Sequence, residues 1–163
     1  MKRALMLSGL VVLAAGSLGA QGLDQGIALY KEGKYAEAEP VLRAASGLEA
    51  KAYLAATLAR LKKHAEAEAQ AKAVLAENAV QPVAVAALGE SLVGQGKLDE
   101  AVDRLSAALR ARADLAYAYY WRGQAYQSKK QIARMVDDYQ SFLKLAPDSP
   151  EAPGVKVLLG SLR

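Results

Sequence analysis

A hexapeptide that recurs four times limits the fold of this chain more than any other feature. The copies begin at Gly33, Lys62, Gly96 and Lys130, and they read GKYAEA, KKHAEA, GKLDEA and KQIARM. The offsets between their first residues are 29, 34 and 34. A period of this length is typical of arrays in which each small unit buries its apolar face against its neighbours. We therefore expect a stack of similar units.

The residues around the hexapeptide have the spacing of paired helices. Leu88 and Leu92 precede the third copy, and Ala101, the last residue of that copy, is followed by Leu105 at the same four-residue step. This spacing gives each helix one apolar stripe. The chain is 53% hydrophobic but only 6% aromatic, and alanine, its main apolar residue, is the best helix former. The sequence predicts an all-α fold with the hexapeptide at the turn inside each pair. Two glycines there are expected to adopt the left-handed conformation that ends a helix, and the lysine after them to be only solvated; these residues are Gly94, Gly96 and Lys97.

These units resemble the tetratricopeptide repeat (TPR) family, whose period is 34 residues. The fourth unit matches best, through Tyr119, Gly123, Tyr126, Tyr139, Phe142 and Pro147. The second unit is shortened, and the missing residues are expected near 46–48. The resemblance implies a TPR-type helical-hairpin solenoid of about four repeats with a C-terminal capping helix. Small residues are expected where the first helix of a pair crosses the second; these are Gly26, Gly89 and Gly123.

We predict three segments. Residues 1–20 are expected to be a secretory signal peptide, because Lys2 and Arg3 precede an apolar run and then small residues ending at Ala20. The TPR domain spans 21–147, with repeats at about 21–48, 49–81, 82–115 and 116–147. Residues 148–163 are expected to cap the stack, with a helix that starts at Asp148-Ser149-Pro150 and an apolar stripe of Val155, Leu158, Leu159 and Leu162.

The signal peptide predicts export to the periplasm or cell envelope, and so a secreted chain once residues 1–20 are removed. An uncleaved membrane anchor is the alternative, so a membrane is expected as a partner only in that case. Formal charge is +4, and loss of the signal peptide leaves 19 of the 21 basic side chains against 17 acidic ones. This balance does not favour nucleic acid as a partner.

The sequence predicts no catalytic residues, no cofactor and no metal site. GESLVG has Val93 where a serine-nucleophile elbow needs a second glycine, and Lys97 is followed by Leu98 where a phosphate loop needs a hydroxyl. His64 is the only histidine and there is no cysteine, so the usual ligands of a zinc site are too few. We therefore expect that the protein is not an enzyme.

The resemblance implies that first-helix side chains line a concave face that holds a peptide or helix of a protein partner. Carried over to this chain, it predicts these partner-binding residues: Tyr30, Tyr53, Arg60, Glu90, Tyr117, Tyr120, Gln124 and Gln127. Ala56 and Val93 are expected on the same face. TPR domains that grip a C-terminal carboxylate use Lys and Asn at places that hold Leu23, Ile27 and Tyr53 here. Apolar and hydrogen-bonding contacts are therefore expected in place of that clamp.

The function predicted is a non-catalytic scaffold or adaptor of the cell envelope. One alternative is a self-assembling structural protein, a homo-oligomer joined through incomplete terminal repeats. Another is a carbohydrate-binding or enzymatic envelope protein that uses the tyrosine-lined groove. Sedimentation at several concentrations would distinguish the first alternative, and a sugar or metal bound in the groove would favour the second.

Overall fold

The computed structural model describes residues 14–162, and the side-chain environments of residues 22–162. The described residues form nine α-helices and no strand, which confirms the all-α class. The helices are α1 (Ala14–Lys31), α2 (Tyr35–Ala44), α3 (Leu48–Arg60), α4 (His64–Glu77), α5 (Pro82–Gly94), α6 (Leu98–Ala111), α7 (Ala116–Ser128), α8 (Ile132–Leu145) and α9 (Ala152–Gly160). Residues 1–13 of the predicted signal peptide lie outside the described residues, and residues 14–20 belong to α1. None of the described helices has the length and apolar character needed to cross a membrane.

Eight of the helices form four consecutive hairpins, α1/α2, α3/α4, α5/α6 and α7/α8. Each first helix also packs against the first helix of the next hairpin. Within the described residues, the second helices contact only their own partner and the first helix that follows, except that α8 also contacts α9. The first helices α1, α3, α5 and α7 therefore form one layer, called here the inner layer, and the second helices form the outer layer.

The turn inside each hairpin has the same backbone geometry in all four copies. Its first residue has positive φ, at +76° in Gly33 and +72° in Gly96, and at 63° in Lys62 and 58° in Lys130. The next backbone N–H then donates to the carbonyl five residues earlier, at 2.9 Å in every copy. This bond satisfies a carbonyl that the helix end would otherwise leave without a partner.

The prediction for Gly96 is confirmed, but the prediction for Gly94 is wrong. Gly94 is the last residue of α5 and has no positive φ. It is small because a Cβ there would lie 2.4 Å from Cε1 of the His64 imidazole. Close packing between neighbouring hairpins explains this glycine.

The glycines expected at helix crossings do lie at close approaches. A Cβ on Gly26 would lie 2.6 Å from Cδ2 of Leu42 in α2, and a Cβ on Gly123 would lie 2.8 Å from Cδ1 of the Tyr139 ring in α8. Gly89 differs, since its nearest neighbour is Cβ of Trp121 in the next hairpin, at 2.7 Å. Gly89 therefore lets the inner helices α5 and α7 approach each other.

Two ion pairs of the same kind join neighbouring hairpins. Nζ of Lys63 lies 2.8 Å from a carboxylate oxygen of Glu39, and Nζ of Lys97 lies 2.8 Å from a carboxylate oxygen of Glu68. Both acids stand six residues after the start of their hexapeptide. The expectation that Lys97 is only solvated is therefore wrong, and its partner Glu68 is a buried residue.

The C-terminal helix begins later than the sequence predicted. The Ser149 hydroxyl donates to the Ala146 carbonyl and closes a turn there, and α9 starts at Ala152. Val155 is buried in the cluster that contains Phe142. Leu162 was expected on the same stripe but is 47% exposed.

Candidate functional site

A cavity of about 230 Å³ opens on the inner layer, where α3, α5 and α7 face one another and Tyr30 of α1 closes one side. We call it the inner cavity. Its lining combines aromatic rings, small apolar side chains and two ionisable groups. The residues that define it are Tyr30, Tyr53, Ala56, Arg60, Pro82, Val83, Ala86, Ala87, Glu90, Tyr117 and Trp121.

The ionisable groups of the inner cavity form a chain of contacts across four elements. Nε of Arg60 lies 3.4 Å from a carboxylate oxygen of Glu90, and Nη2 lies 3.3 Å from Oε1 of Glu151, the residue just before α9. The Tyr117 hydroxyl donates to the other oxygen of Glu151 at 2.7 Å. Glu151 therefore connects the start of α9 to Arg60 of α3, although Arg60 and Glu151 are 91 positions apart in the sequence.

Burial changes the acid–base properties of these groups. Burial raises the pKa of Glu90 above its usual value, and the neighbouring Arg60 offsets only part of that rise. Burial is the largest single influence on Arg60 and opposes its charge, but the attractions of Glu90 and of the neighbouring Tyr30 and Tyr35 together exceed it and raise the pKa of the guanidinium. Burial and the hydrogen bond to Glu151 also raise the pKa of Tyr117, which further favours the neutral hydroxyl that donates this bond.

Aromatic rings form the walls of the inner cavity. Tyr30 and Tyr53 meet edge to face with centroids 5.5 Å apart. Tyr117 and Trp121 line the same cavity from α7, where both side chains are half-buried. Rings held in this way present both apolar faces and polar edges to a ligand.

The structure brings five of the eight predicted partner-binding residues together. Tyr30, Tyr53, Arg60, Glu90 and Tyr117 all line the inner cavity. Their role in binding a partner stays a prediction.

The other three predicted residues lie on α7 but do not line the inner cavity. Tyr120 packs against Phe142, with centroids 5.0 Å apart, and its hydroxyl accepts a hydrogen bond from Gln124. Gln127 accepts a hydrogen bond from Tyr139 of α8. Tyr120, Gln124 and Gln127 therefore make contacts within the α7/α8 hairpin, and their role in binding also stays a prediction.

Among the aromatic and charged side chains of the site, sequence reasoning missed two. Trp121 is the single tryptophan and lies next to a predicted residue, so its rarity was the available signal. Glu151 lies in the predicted capping segment, and no motif marks it. Only the packing of α9 brings it to Arg60.

Two other features lack the properties of the inner cavity. Ser91, the serine of the GESLVG stretch, is fully buried and its hydroxyl donates to the Ala87 carbonyl at 2.7 Å, so no substrate can reach it.

A second cavity, of about 480 Å³, lies on the outer layer between α4 and α6 and is lined mostly by alanine, leucine and valine. Both cations at that cavity, Lys72 and Arg104, contact Glu100. Among the described residues, no cluster of three or more histidine or acidic side chains is placed to hold a metal ion.

Family comparisons agree with this architecture. Residues 89–130 match a family model for the TPR repeat, and residues 116–149 match a second model for the tetratricopeptide repeat. The chain therefore contains TPR repeats, and the predicted TPR-type helical solenoid is confirmed. A comparison with curated proteins gave no match.

Solved structures show the same fold along most of the chain. A thermophilic TPR protein from Thermus thermophilus aligns with a TM-score of 0.76 at 23% identity, covering 87% of this chain and 83% of that one. MamA from Desulfovibrio magneticus RS-1 aligns with a TM-score of 0.63 at 20% identity, covering 90% and 88%. YrrB, described as a TPR protein with an unusual peptide-binding site, aligns with a TM-score of 0.63 at 20% identity, covering 87% and 76%. At these identities the similarity establishes the fold.

Proposed function

We propose that this protein is a non-catalytic scaffold or adaptor that binds a peptide or helix of a protein partner on its inner layer. The inner cavity carries this proposal, because it joins four aromatic rings to a small set of polar groups on the face formed by the first helices. Tyrosine and tryptophan give a large contact area at low entropic cost. The peptide-binding site of YrrB supports a peptide as the ligand, since that protein has the same fold.

The proposal includes export to the periplasm or cell envelope after removal of residues 1–20. The charged start, the apolar run and the small residues before Gln21 support it. Mass spectrometry of the chain purified from an envelope fraction should find Gln21 as the first residue. A chain that still starts at Met1 and remains in the cytoplasm would contradict this part of the proposal.

Filling the inner cavity tests the proposed binding function directly. Ala86 lines the cavity and is half-buried, so an Ala86→Gln side chain should occupy the space that a partner needs. Glutamine is a good helix former, which limits the effect on α5. Ala73→Gln is the matched control, since Ala73 is exposed on α4 and lines neither cavity.

The measurement is affinity capture from an envelope extract with the wild type and both variants. Partners should copurify with the wild type and with Ala73→Gln, and their recovery should fall several-fold with Ala86→Gln. Circular dichroism should show equal helicity in all three proteins. Equal recovery of every partner by folded Ala86→Gln would refute the inner cavity as the binding site.

A further inference from the structure

The inner cavity contains a buried acid, Glu90, that accepts no hydrogen bond from the described residues. The side chain of Glu90 is only 7% exposed and lines the cavity. Its closest charged contact is Nε of Arg60 at 3.4 Å, and no hydrogen bond joins the two groups within the described residues. A buried carboxylate normally accepts several hydrogen bonds. Glu90 therefore faces the cavity with unused acceptor capacity.

The charges around the cavity do not balance. One guanidinium, that of Arg60, contacts two carboxylates, Glu90 and Glu151. A second cation, Lys62, also acts on Glu90, but it is exposed on the turn after α3, where water and salt screen its charge. The enclosed part of the site therefore has one more negative than positive group. An incoming carboxylate would add a third acid, whereas a cation would neutralise the excess.

The walls and the size of the cavity favour the same kind of ligand. Tyr30, Tyr53, Tyr117 and Trp121 line it, and aromatic faces attract an ammonium or guanidinium group. The long aliphatic stem of lysine or arginine can pack along apolar side chains while its charged end reaches a polar group. A volume of about 230 Å³ suits one such side chain and is too small for a helix.

We propose that the inner cavity accepts a lysine or arginine side chain of the partner, whose charged end pairs with Glu90 and Glu151. This inference rests on the proposed peptide-binding function of the same cavity and specifies the chemistry of the ligand. Glu90 supplies the buried end of the site. Glu151, held by Tyr117, supplies the second acid at the position where the α9 segment meets the inner layer.

Trp121 provides a direct test, because it is the only tryptophan and it lines the cavity. The purified full chain is titrated with N-acetyl-arginine methylamide and N-acetyl-lysine methylamide while tryptophan emission is recorded. N-acetyl-citrulline methylamide is the neutral isostere of the arginine probe, and N-acetyl-glutamate methylamide is the acidic probe. We expect the tryptophan emission to change in a saturable way with the basic probes. The citrulline probe should bind about tenfold or more weakly than the arginine probe, because it cannot make a charge-assisted hydrogen bond.

Variants identify the acids responsible. Glu90→Gln should weaken the arginine probe by about tenfold to a hundredfold, and Glu151→Gln should weaken it several-fold. Glu77→Gln, on the exposed surface of α4, is the matched control and should bind as the wild type does. If Glu90→Gln does not fold, Glu151→Gln and the wild-type comparison of the four probes still decide the question.

Three results would overturn the proposal. They are equal binding of the arginine and citrulline probes, binding of the glutamate probe alone, and the absence of a saturable response to any probe. Each can be separated from failure of the proposed function. If Ala86→Gln abolishes partner capture while the probes show no preference for positive charge, the cavity binds a partner of different chemistry.

Discussion

At the scale of single residues, the four hairpin turns show how one backbone geometry is built from different amino acids. Glycine starts the first and third turns, and Lys62 and Lys130 start the second and fourth with the same positive φ. The left-handed conformation brings the Cβ of an ordinary residue too close to the backbone, at a cost of about 1–2 kcal/mol. The hydrogen bond that follows, at 2.9 Å in every turn, holds the lysines in this conformation.

We therefore expect Lys130→Gly to raise the free energy of unfolding by about 0.5–1 kcal/mol, because glycine removes the strain at the cost of a more flexible unfolded chain. Urea denaturation measures the effect. Gly96→Ala is the reciprocal variant and should lower stability by about 1 kcal/mol. Unchanged or lower stability of Lys130→Gly would mean that the strain at this residue does not exceed the entropic cost of glycine.

The contact between Gly94 and His64 gives a second prediction at this scale. Gly94→Ala should lower stability by about 1–3 kcal/mol, since its methyl group would overlap the imidazole ring. In a His64→Ala background the same change should cost much less, because the ring is absent. A double-mutant cycle of denaturation midpoints measures the difference. Equal costs in the two backgrounds would show that α5 requires the glycine for another reason.

At the scale of helices, ion pairs between hairpins add to the apolar contacts. Hydrogen bonds from Lys72 and then Lys97 lower the pKa of Glu68 to about 2, although burial opposes this. Because the pKa of Glu68 is depressed in the folded state, the unfolded state binds more protons in acid. The protein therefore becomes less stable as the pH is lowered. The contribution of Glu68 is complete above its usual pKa of 4.5 and is lost progressively as pH falls toward 2.

Glu68→Gln should lower stability by about 1–2 kcal/mol at pH 7 and by much less at pH 3, where the wild type has already lost part of the interaction. Urea denaturation at several pH values measures this. Glu77→Gln, which is exposed on the same helix, should behave as the wild type at every pH. If the Glu68→Gln difference is the same at pH 7 and pH 3, Glu68 does not have a depressed pKa.

The C-terminal helix α9 offers a matched pair of valines. Val155 is 5% exposed and Val157 is 75% exposed. Val155→Ala should lower the free energy of unfolding by about 1–2.5 kcal/mol, whereas Val157→Ala should change it by less than about 0.5 kcal/mol. Thermal denaturation compares the two. Equal effects would show that α9 is not packed on α8 in solution.

At the scale of the whole molecule, the adaptor and self-assembly hypotheses predict different behaviour in solution. Among the described residues, four large apolar side chains are exposed: Ile132 at 45%, Leu145 at 42%, Val157 at 75% and Leu162 at 47%. A stable interface usually buries about 1,200–2,000 Å². We expect sedimentation to give the mass of one chain at every concentration. A mass that rises with concentration would favour self-assembly.

The fold follows from the sequence largely because the repeat is local. Each hexapeptide specifies one turn, and the apolar spacing on either side specifies two helices that cannot bury their stripes alone. The start of α9 at Ala152 was missed because the Ser149 side chain can cap a helix or close a turn, and local sequence does not distinguish the two. The shared position of Glu39 and Glu68 in the repeat was visible, but their lysine partners lie in the next unit.

The sequence by itself determined the helices and the hairpin turns, and its resemblance to the TPR family implied the face on which five of the predicted residues meet. The helices and turns depend on contacts within one repeat or between adjacent repeats, so the spacing of residues along the chain already specifies them. Only the tertiary structure decided that Glu151 reaches Arg60, that Tyr120 packs within its own hairpin, and that Nε of Arg60 approaches Glu90 without a hydrogen-bond partner among the described residues. Those outcomes depend on how the successive hairpins are rotated and on the path of the chain beyond the last repeat, and no residue spacing encodes either one.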